Sequence, residues 1–248
     1  MLRVLSVSVF LAIWEVLGRT VLADFLFFSF PSAIGAGFLE LVRDGDLGAH
    51  LWASGSVFLY GMVLSLLAIP VGMFMGRIPT IDYLLDQYLL ALSAIPRFVF
   101  VPLFMIWFGL GLFSKALIIF LGAFFPLLFN VREGVKTVDP VLLDAARAFG
   151  CRRWRLYTVV ILPSISSFLV AGLRLGIGRA IIGIVLVEMY SSRNGIGFLL
   201  IRMAEVLRLD LFFAVLAGLA LFAVGTSEFL LWLERRLSPW RARQMEKL

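Results

Sequence analysis

The chain has 248 residues, of which 62% are hydrophobic and 15% are charged, with a net charge of +6. An apolar share this large excludes a soluble globular domain and indicates an integral membrane protein. The positive charge does not indicate nucleic-acid binding, because Lys and Arg lie in short segments beside apolar stretches, as membrane orientation requires. The single cysteine, Cys151, excludes a disulfide within this sequence and a cysteine-rich metal site.

Six apolar stretches each reach about the 20 residues of helix that cross the hydrocarbon core of a bilayer. They predict an all-α membrane protein with one transmembrane domain over residues 1–248. The predicted spans cover residues 2–22, 51–76, 83–108, 114–130, 163–190 and 211–233. The first stretch is kept as a span rather than a secretion signal, because it holds Glu15 and Arg19 and lacks a small-residue cleavage site.

A short amphipathic helix is predicted between the first two spans. Pro31 and Ser32 begin it, and Asp44 with Gly45 ends it. His50, the only histidine, follows it and has no Cys or His partner. We therefore expect His50 to be a polar residue at a membrane edge, and no metal site is predicted.

The third span contains Pro96 and Pro102, which predict a kink near the middle of the membrane. Arg97 lies beside this kink. Burying an unpaired guanidinium is costly, so Arg97 needs water, an anionic solute or a carboxylate such as Glu15 or Glu188. We expect Arg97 to contribute to substrate selectivity.

The fifth span combines small residues with charges. Gly172 and Gly176 have the small-xxx-small spacing that lets two helices approach closely in lipid. Arg174 and Arg179 interrupt the same helix, and intramembrane arginines are candidates for a water-filled path, a gate or a buried pair, here with Glu188.

A polar loop over residues 139–162 separates the fourth and fifth spans. Asp139 is a candidate N-cap, and Pro140 occupies the first helical position, where its missing N–H costs nothing. Gly150 can take the left-handed conformation that ends a helix. A second helix then opens with Arg152, Arg153 and Arg155.

This loop resembles the EAA loop of the membrane subunits of binding-protein-dependent ABC importers. The resemblance rests on residues 144–146, Gly150 and residues 161–163, and Asp144 stands where the family usually has Glu. It implies coupling helices that dock on a cytoplasmic ATPase. The residues implied in coupling are Asp144, Ala145, Ala146, Gly150, Leu162 and Pro163.

Two further stretches, residues 30–32 and 107–111, resemble the subfamily that serves sulfonates, taurine, nitrate and related small compounds. The Gly-Leu-Arg, Gly-Arg and Glu-Met elements that contain Arg174, Arg179 and Glu188 also match the family pattern. The candidate solutes are sulfonates, taurine, nitrate, bicarbonate, and aromatic or pyrimidine compounds. Among these the intramembrane arginines favour an anion, by Coulomb attraction at low dielectric.

The resemblance implies a type I importer permease that works with several partners. Two copies of the chain would enclose the path, two ATPase subunits would bind ATP and Mg, and a periplasmic or extracellular binding protein would deliver the solute. The sequence has no phosphate-binding loop, so this chain is expected to be a transport subunit in membrane lipid rather than an enzyme, without a bound cofactor or nucleic acid.

The distribution of positive charge predicts the orientation. With a cytoplasmic amino terminus, thirteen Lys and Arg residues lie inside and six lie outside. Both termini and the loop over 139–162 are therefore expected on the cytoplasmic side of the bacterial inner membrane. The alternative is a self-sufficient secondary transporter or an intramembrane enzyme, which would need internal repeats or a buried catalytic cluster, and neither is seen.

Overall fold

A computed structural model describes residues 2–21, 28–43, 46–191 and 193–237. Within these residues every regular element is a helix, and no strand occurs. The chain divides into two compact units, the first formed by Met1–Ser56 and Val185–Phe222 and the second by Val57–Ile184 and Ala223–Leu248. The expected all-α fold class is confirmed for the described residues.

The helices follow one another with short connections. They are α1 Leu2–Thr20, α2 Pro31–Arg43, α3 Asp46–Ser65, α4 Ala68–Arg77, α5 Pro79–Ala94, α6 Phe100–Phe108, α7 Leu112–Lys136, α8 Pro140–Ala148, α9 Arg153–Leu156, α10 Leu162–Ser164, α11 Ser166–Ser191, α12 Ile196–Glu205 and α13 Leu209–Leu237. A 3-10 turn, Arg97–Val99, precedes α6, and a π-helical segment, Tyr157–Ile161, precedes α10.

Four stretches of the described chain are long and apolar enough to cross a membrane. They are Leu47–Arg77, Leu112–Lys136, Ser166–Tyr190 and Leu209–Glu234. The pair Pro79–Ala94 and Arg97–Phe108 makes a fifth if the two helices are counted as one broken span. The first predicted span is covered by α1, which carries Arg3, Glu15 and Arg19 and is not among these stretches.

Prolines divide two of the predicted spans. A bend of 77° separates α5 from residues 97–108, which confirms the kink expected at Pro96. Ile95 and Pro96 are both extended, because the ring of a proline disfavours helical geometry at the residue before it. A turn likewise separates α3 from α4. Pro70 has no N–H for the carbonyl of Leu66, which accepts a hydrogen bond from the Ile69 N–H instead (2.9 Å).

In the second unit, α7 packs tightly against residues 166–184 of α11, as the small-residue spacing predicts. A Cβ atom on Gly172 would lie 3.0 Å from the Cα of Leu127, and one on Gly176 would lie 3.2 Å from the Cα of Ala123. Larger side chains at these glycines would push the helices apart, so the close packing depends on glycine.

A network of ion pairs fixes the start of α5 against the end of α7. The guanidinium of Arg132 donates two hydrogen bonds to the Asp82 carboxylate and lies 2.6 Å from Asp86. Lys136 approaches the same Asp82 carboxylate at 2.9 Å. α7 continues to Lys136, six residues beyond the predicted end of the fourth span.

In the first unit, α2, α12 and the start of α13 share an apolar core that includes Leu199 and Leu211. Arg208, just before α13, donates hydrogen bonds to Asp210 (2.9 Å) and Glu40 (2.7 Å). These bonds raise the pKa of Arg208 above its usual value, so the residue keeps its charge at any physiological pH. The helix predicted after Pro31 is confirmed as α2.

Candidate functional site

Two arginines of the second unit, Arg97 and Arg179, repel each other as like charges. Arg97 begins the 3-10 turn and is half-buried, and its Nε is fully buried without a hydrogen-bond partner among the described residues. Arg179, on α11, interacts with Arg97 as a like charge. Neither guanidinium belongs to any ion pair formed between described residues. The pair is therefore a concentration of positive charge without a counter-charge in the described part of the chain.

Arg174, the third intramembrane arginine, lies on α11 five residues before Arg179. Its side chain is exposed, and it belongs to none of the ion pairs that the described residues form. Unlike Arg179, it does not contribute to the repulsion acting on Arg97. Arg174 and Arg179 are both exposed, whereas Arg97 is half-buried, and only Arg179 repels Arg97.

The carboxylate of Glu15, one proposed partner of Arg97, is engaged within the first unit. It lies 2.6 Å from the Nε of Arg19 and accepts hydrogen bonds from the backbone N–H (2.9 Å) and hydroxyl (2.7 Å) of Ser32. These bonds tie α1 to the first turn of α2.

Glu188, the other proposed partner, is almost fully buried, with 1% of its surface exposed. The hydroxyl of Ser54 lies 2.8 Å from both carboxylate oxygens, and the backbone N–H of Gly197 donates to Oε2 (2.9 Å). The Ser54 hydroxyl also accepts a bond from the N–H of Ile196 (2.8 Å). We call Glu188, Ser54, His50 and residues 195–197 the carboxylate cluster.

Gly195 brings the chain over this carboxylate. Its φ of +118° is a conformation that residues with a side chain rarely adopt, and a Cβ atom there would lie 2.4 Å from the Cδ of Glu188. Only glycine fits between the turn and the buried acid.

His50 is buried in the carboxylate cluster, with 7% of its surface exposed, and it lies near the start of the apolar stretch Leu47–Arg77. Its Nδ1 accepts a hydrogen bond from the N–H of Gly195 (3.0 Å). His50 and Ser54 are four residues apart on one face of α3, and this spacing was the available signal for a shared role.

The predicted coupling segment has the expected local structure. Asp139 caps α8 by accepting a hydrogen bond from the N–H of Val141 (2.8 Å), and Pro140 is the first helical residue. Gly150 has a φ of +75°, the left-handed conformation predicted for the turn. Asp144 is exposed and paired with Arg147 at 2.8 Å.

The remaining predicted coupling residues lie on both sides of this turn. Ala145 is exposed and Ala146 half-buried on α8, while Leu162 and Pro163 form most of α10. The N–H of Leu162 bonds to the carbonyl of Tyr157, one residue further back than in an α-helix. This π-helical turn lies directly before Pro163, which has no N–H to continue the regular ladder.

Sequence analysis missed the exposed apolar residues of the coupling segment. Phe149 is 91% exposed at the end of α8, and Val141 is 71% exposed at its start. A phenylalanine immediately before the turn glycine of a polar loop was the available signal. Exposed apolar side chains beside charged ones are suited to binding another protein.

Residues 68–239 match the family described as the inner membrane component of binding-protein-dependent transport systems. This match covers more than half of the chain, and the chain belongs to this family. It is therefore a permease component of an ABC transporter, a transport subunit rather than an enzyme.

Several curated permeases are similar over most of the chain. A permease assigned to aliphatic sulfonates transport, SsuC of Bacillus subtilis, is 33% identical over 94% of this chain and 85% of its own. The taurine transport system permease protein TauC of Escherichia coli is 32% identical over 95% and 88%. The riboflavin transport system permease protein RibX of Chloroflexus aurantiacus is 32% identical over 86% and 80%. The predicted resemblance is confirmed.

Proposed function

We propose that two copies of this chain form the translocation path of an importer for a small anion, such as a sulfonate or taurine, driven by a separate ATPase. The observation that carries this proposal is Arg97, whose Nε is buried without a hydrogen-bond partner among the described residues and which is repelled by Arg179. Two like charges beside a broken membrane helix are unfavourable unless water or an anion neutralises them. An anion passing the bend would supply that neutralisation transiently, as a transported solute must.

The chemistry of a sulfonate fits this pair. Its oxygens share one negative charge and accept charge-assisted hydrogen bonds from guanidinium groups. Nitrate and bicarbonate also carry one negative charge shared among oxygens that accept hydrogen bonds, so both remain within the proposed class of solutes. Two relatives are named for aliphatic sulfonates and for taurine, and both substrates carry a sulfonate group.

The proposed partners follow from the family. A binding protein would deliver the solute to the outer face, and two ATPase subunits would bind ATP and Mg at the cytoplasmic face. Residues 139–162 would dock on the ATPase through Phe149 and Val141, whose exposure leaves them free for such a contact. Six spans are few for a complete path, so a second copy would close it.

The proposed topology has six spans, with α1 as the first and α5 and α6 together as the broken third. It places both termini and the coupling segment in the cytoplasm, following the excess of positive charge on that side. Cys151, the only thiol, tests it. A membrane-impermeant maleimide should label Cys151 only in inverted vesicles, and labelling in intact cells would overturn the orientation.

Gly150 tests the coupling role. Gly150→Val should disturb the left-handed turn, and transport-linked ATP hydrolysis should fall while the protein still inserts. Gly150→Asn is the matched control, because asparagine tolerates this conformation far better than a β-branched residue. Full coupling in the valine variant would refute a role for the turn.

The proposed function is tested by reconstitution in vesicles with the cognate ATPase and binding protein. Uptake of taurine or an alkanesulfonate should depend on ATP and on the binding protein, and riboflavin should not accumulate. Arg43→Gln, a substitution of an exposed arginine at the end of α2, should leave uptake unchanged. ATP-dependent accumulation of riboflavin without sulfonate uptake would contradict the anion assignment.

A further inference from the structure

A cavity of about 620 Å³ lies where the end of α4 meets the turn between α8 and α9. It is lined by two arginines, three aromatic residues, a thiol and the aliphatic Ile78 and Leu156, and no carboxylate occurs among the described residues that line it. The main lining residues are Phe74, Arg77, Arg147, Cys151, Trp154 and Tyr157. The cavity belongs entirely to the second unit and is separate from the arginine pair at the bend.

The two arginines give the cavity its charge. Arg77 is the last residue of α4 and of the apolar stretch Leu47–Arg77, so its position along the chain is where a membrane span ends. It is half-buried and belongs to none of the ion pairs or side-chain hydrogen bonds of the described residues. Arg147 donates to Asp144 through Nη1 (2.8 Å), which leaves other N–H groups of its guanidinium for a ligand.

Three aromatic rings form one wall. The ring of Phe74 lies 6.4 Å from Trp154 and 6.1 Å from Tyr157, and the last two rings are 6.3 Å apart. Trp and Tyr are enriched at the level of lipid headgroups, because each joins an apolar ring to a polar group. A wall of this composition at the end of an apolar stretch has the residue types typical of the interfacial region of a bilayer.

We propose that this cavity binds the phosphate headgroup of an anionic phospholipid, held by Arg77 and Arg147. Phosphate oxygens match guanidinium groups in geometry and charge, and basic pockets at the cytoplasmic ends of membrane helices bind such headgroups. A lipid fits better than a soluble anion, because the wall formed by Phe74 continues along the apolar helix α4. The side chains of this helix would pack against the acyl chain of the lipid.

The bound lipid would join the end of α4 to the coupling segment. Arg77 belongs to the span, whereas Arg147 and Trp154 belong to the segment that is proposed to dock on the ATPase. The headgroup would thus act as a clamp that holds α8 and α9 against the membrane helix. This inference rests on the proposed topology, which places the end of α4 on the cytoplasmic side, and it is independent of the transported solute.

Cys151 lines the cavity and is the only thiol, so its modification rate reports on occupancy. The protein is placed in nanodiscs of phosphatidylcholine with or without phosphatidylglycerol, and alkylation by a neutral maleimide is timed. Phosphatidylglycerol should slow the labelling of Cys151. Arg77→Gln or Arg147→Gln should weaken this protection about fivefold each, as expected for one basic residue near a lipid surface.

Arg155→Gln is the matched control, because Arg155 is exposed on α9 and does not line the cavity. In this variant phosphatidylglycerol should slow the labelling of Cys151 as much as it does in the unmodified protein. The two variants that remove lining arginines are tested separately, and each is first checked for an unchanged melting temperature, so that a misfolded variant is not mistaken for a lost site.

Four results would overturn the proposal. Two of them are equal protection of Cys151 by phosphatidylcholine and equal protection in the Arg77→Gln and Arg147→Gln variants. The third is protection by inorganic phosphate alone, which would define a soluble-anion site. The fourth is protection that needs the ATPase but no anionic lipid, which would assign the cavity to protein docking. Because labelling requires no transport, failure here leaves the proposed importer function untouched, and failure of uptake leaves this result untouched.

Discussion

Glu188 and the pair Arg97 and Arg179 are both charges in apolar helices, yet their surroundings are opposite. The Glu188 carboxylate accepts hydrogen bonds from Ser54 and from the backbone of Gly197 and is 1% exposed. Arg97 keeps a buried Nε without a partner among the described residues and is repelled by a second cation, Arg179. The Glu188 carboxylate therefore has hydrogen-bond donors around it, whereas the two arginines have no carboxylate partner among the described residues.

This difference separates a structural charge from one available to a ligand. A buried carboxylate with several donors holds together the chain segments that carry those donors. Removing the carboxylate or one of its donors therefore lowers the stability of the fold. A cation without an internal partner contributes little to stability and is suited to a passing anion. The comparison predicts that substitutions in the carboxylate cluster affect folding, while substitutions of the arginines affect transport.

The largest effect is expected for Gly195→Ala. The new Cβ would lie 2.4 Å from the Cδ of Glu188 at a backbone φ of +118°, so the turn cannot keep its place over the acid. The yield of folded protein after mild detergent extraction should collapse. Gly35→Ala is the control, since a Cβ there meets no atom within 4 Å. Normal yield for Gly195→Ala would contradict the structural role of the carboxylate cluster.

A smaller loss is expected for Ser54→Ala, which removes the hydroxyl between Glu188 and the N–H of Ile196. Leaving such buried groups without a partner costs about 1–3 kcal/mol. The melting temperature in detergent should fall clearly. Ser56→Ala should change it little, because the Ser56 hydroxyl bonds only to the backbone of its own helix. Equal melting temperatures for the two variants would show that the Ser54 bonds add nothing.

The smallest effect is expected for Arg174→Gln. Arg174 is exposed and is not part of the like-charge pair, so its loss should lower sulfonate uptake by about fivefold or less, the range of an exposed charge interaction. Uptake rates are compared at equal amounts of assembled transporter. A loss as large as that of an Arg97 variant would extend the proposed path to all three arginines.

Local features of the fold could be predicted from the sequence because each depends on neighbouring residues. The cap at Asp139, the left-handed Gly150 and the bend at Pro96 all follow from the conformational limits of single residues. The close packing at Gly172 follows from a short repeat on one helix. These elements require no knowledge of the tertiary structure.

The carboxylate cluster could not be predicted, because its contacts join distant parts of the chain. Ser54 and Glu188 are 134 residues apart, and nothing in either local pattern specifies the other. The same reason explains the placement of His50, whose partner Gly195 is 145 residues away.

The central claim, that Arg97 lines an anion path, is tested most directly by the initial rate of sulfonate uptake in Arg97→Gln and Arg97→Lys. Both variants are reconstituted with the ATPase and binding protein and matched for assembly. Arg97→Gln should lower the uptake rate by about tenfold or more, since a hydrogen bond to a charged group contributes about 1.5–3 kcal/mol. Arg97→Lys keeps the positive charge and should retain a higher uptake rate than Arg97→Gln. Unchanged uptake in a fully assembled Arg97→Gln transporter would contradict the account.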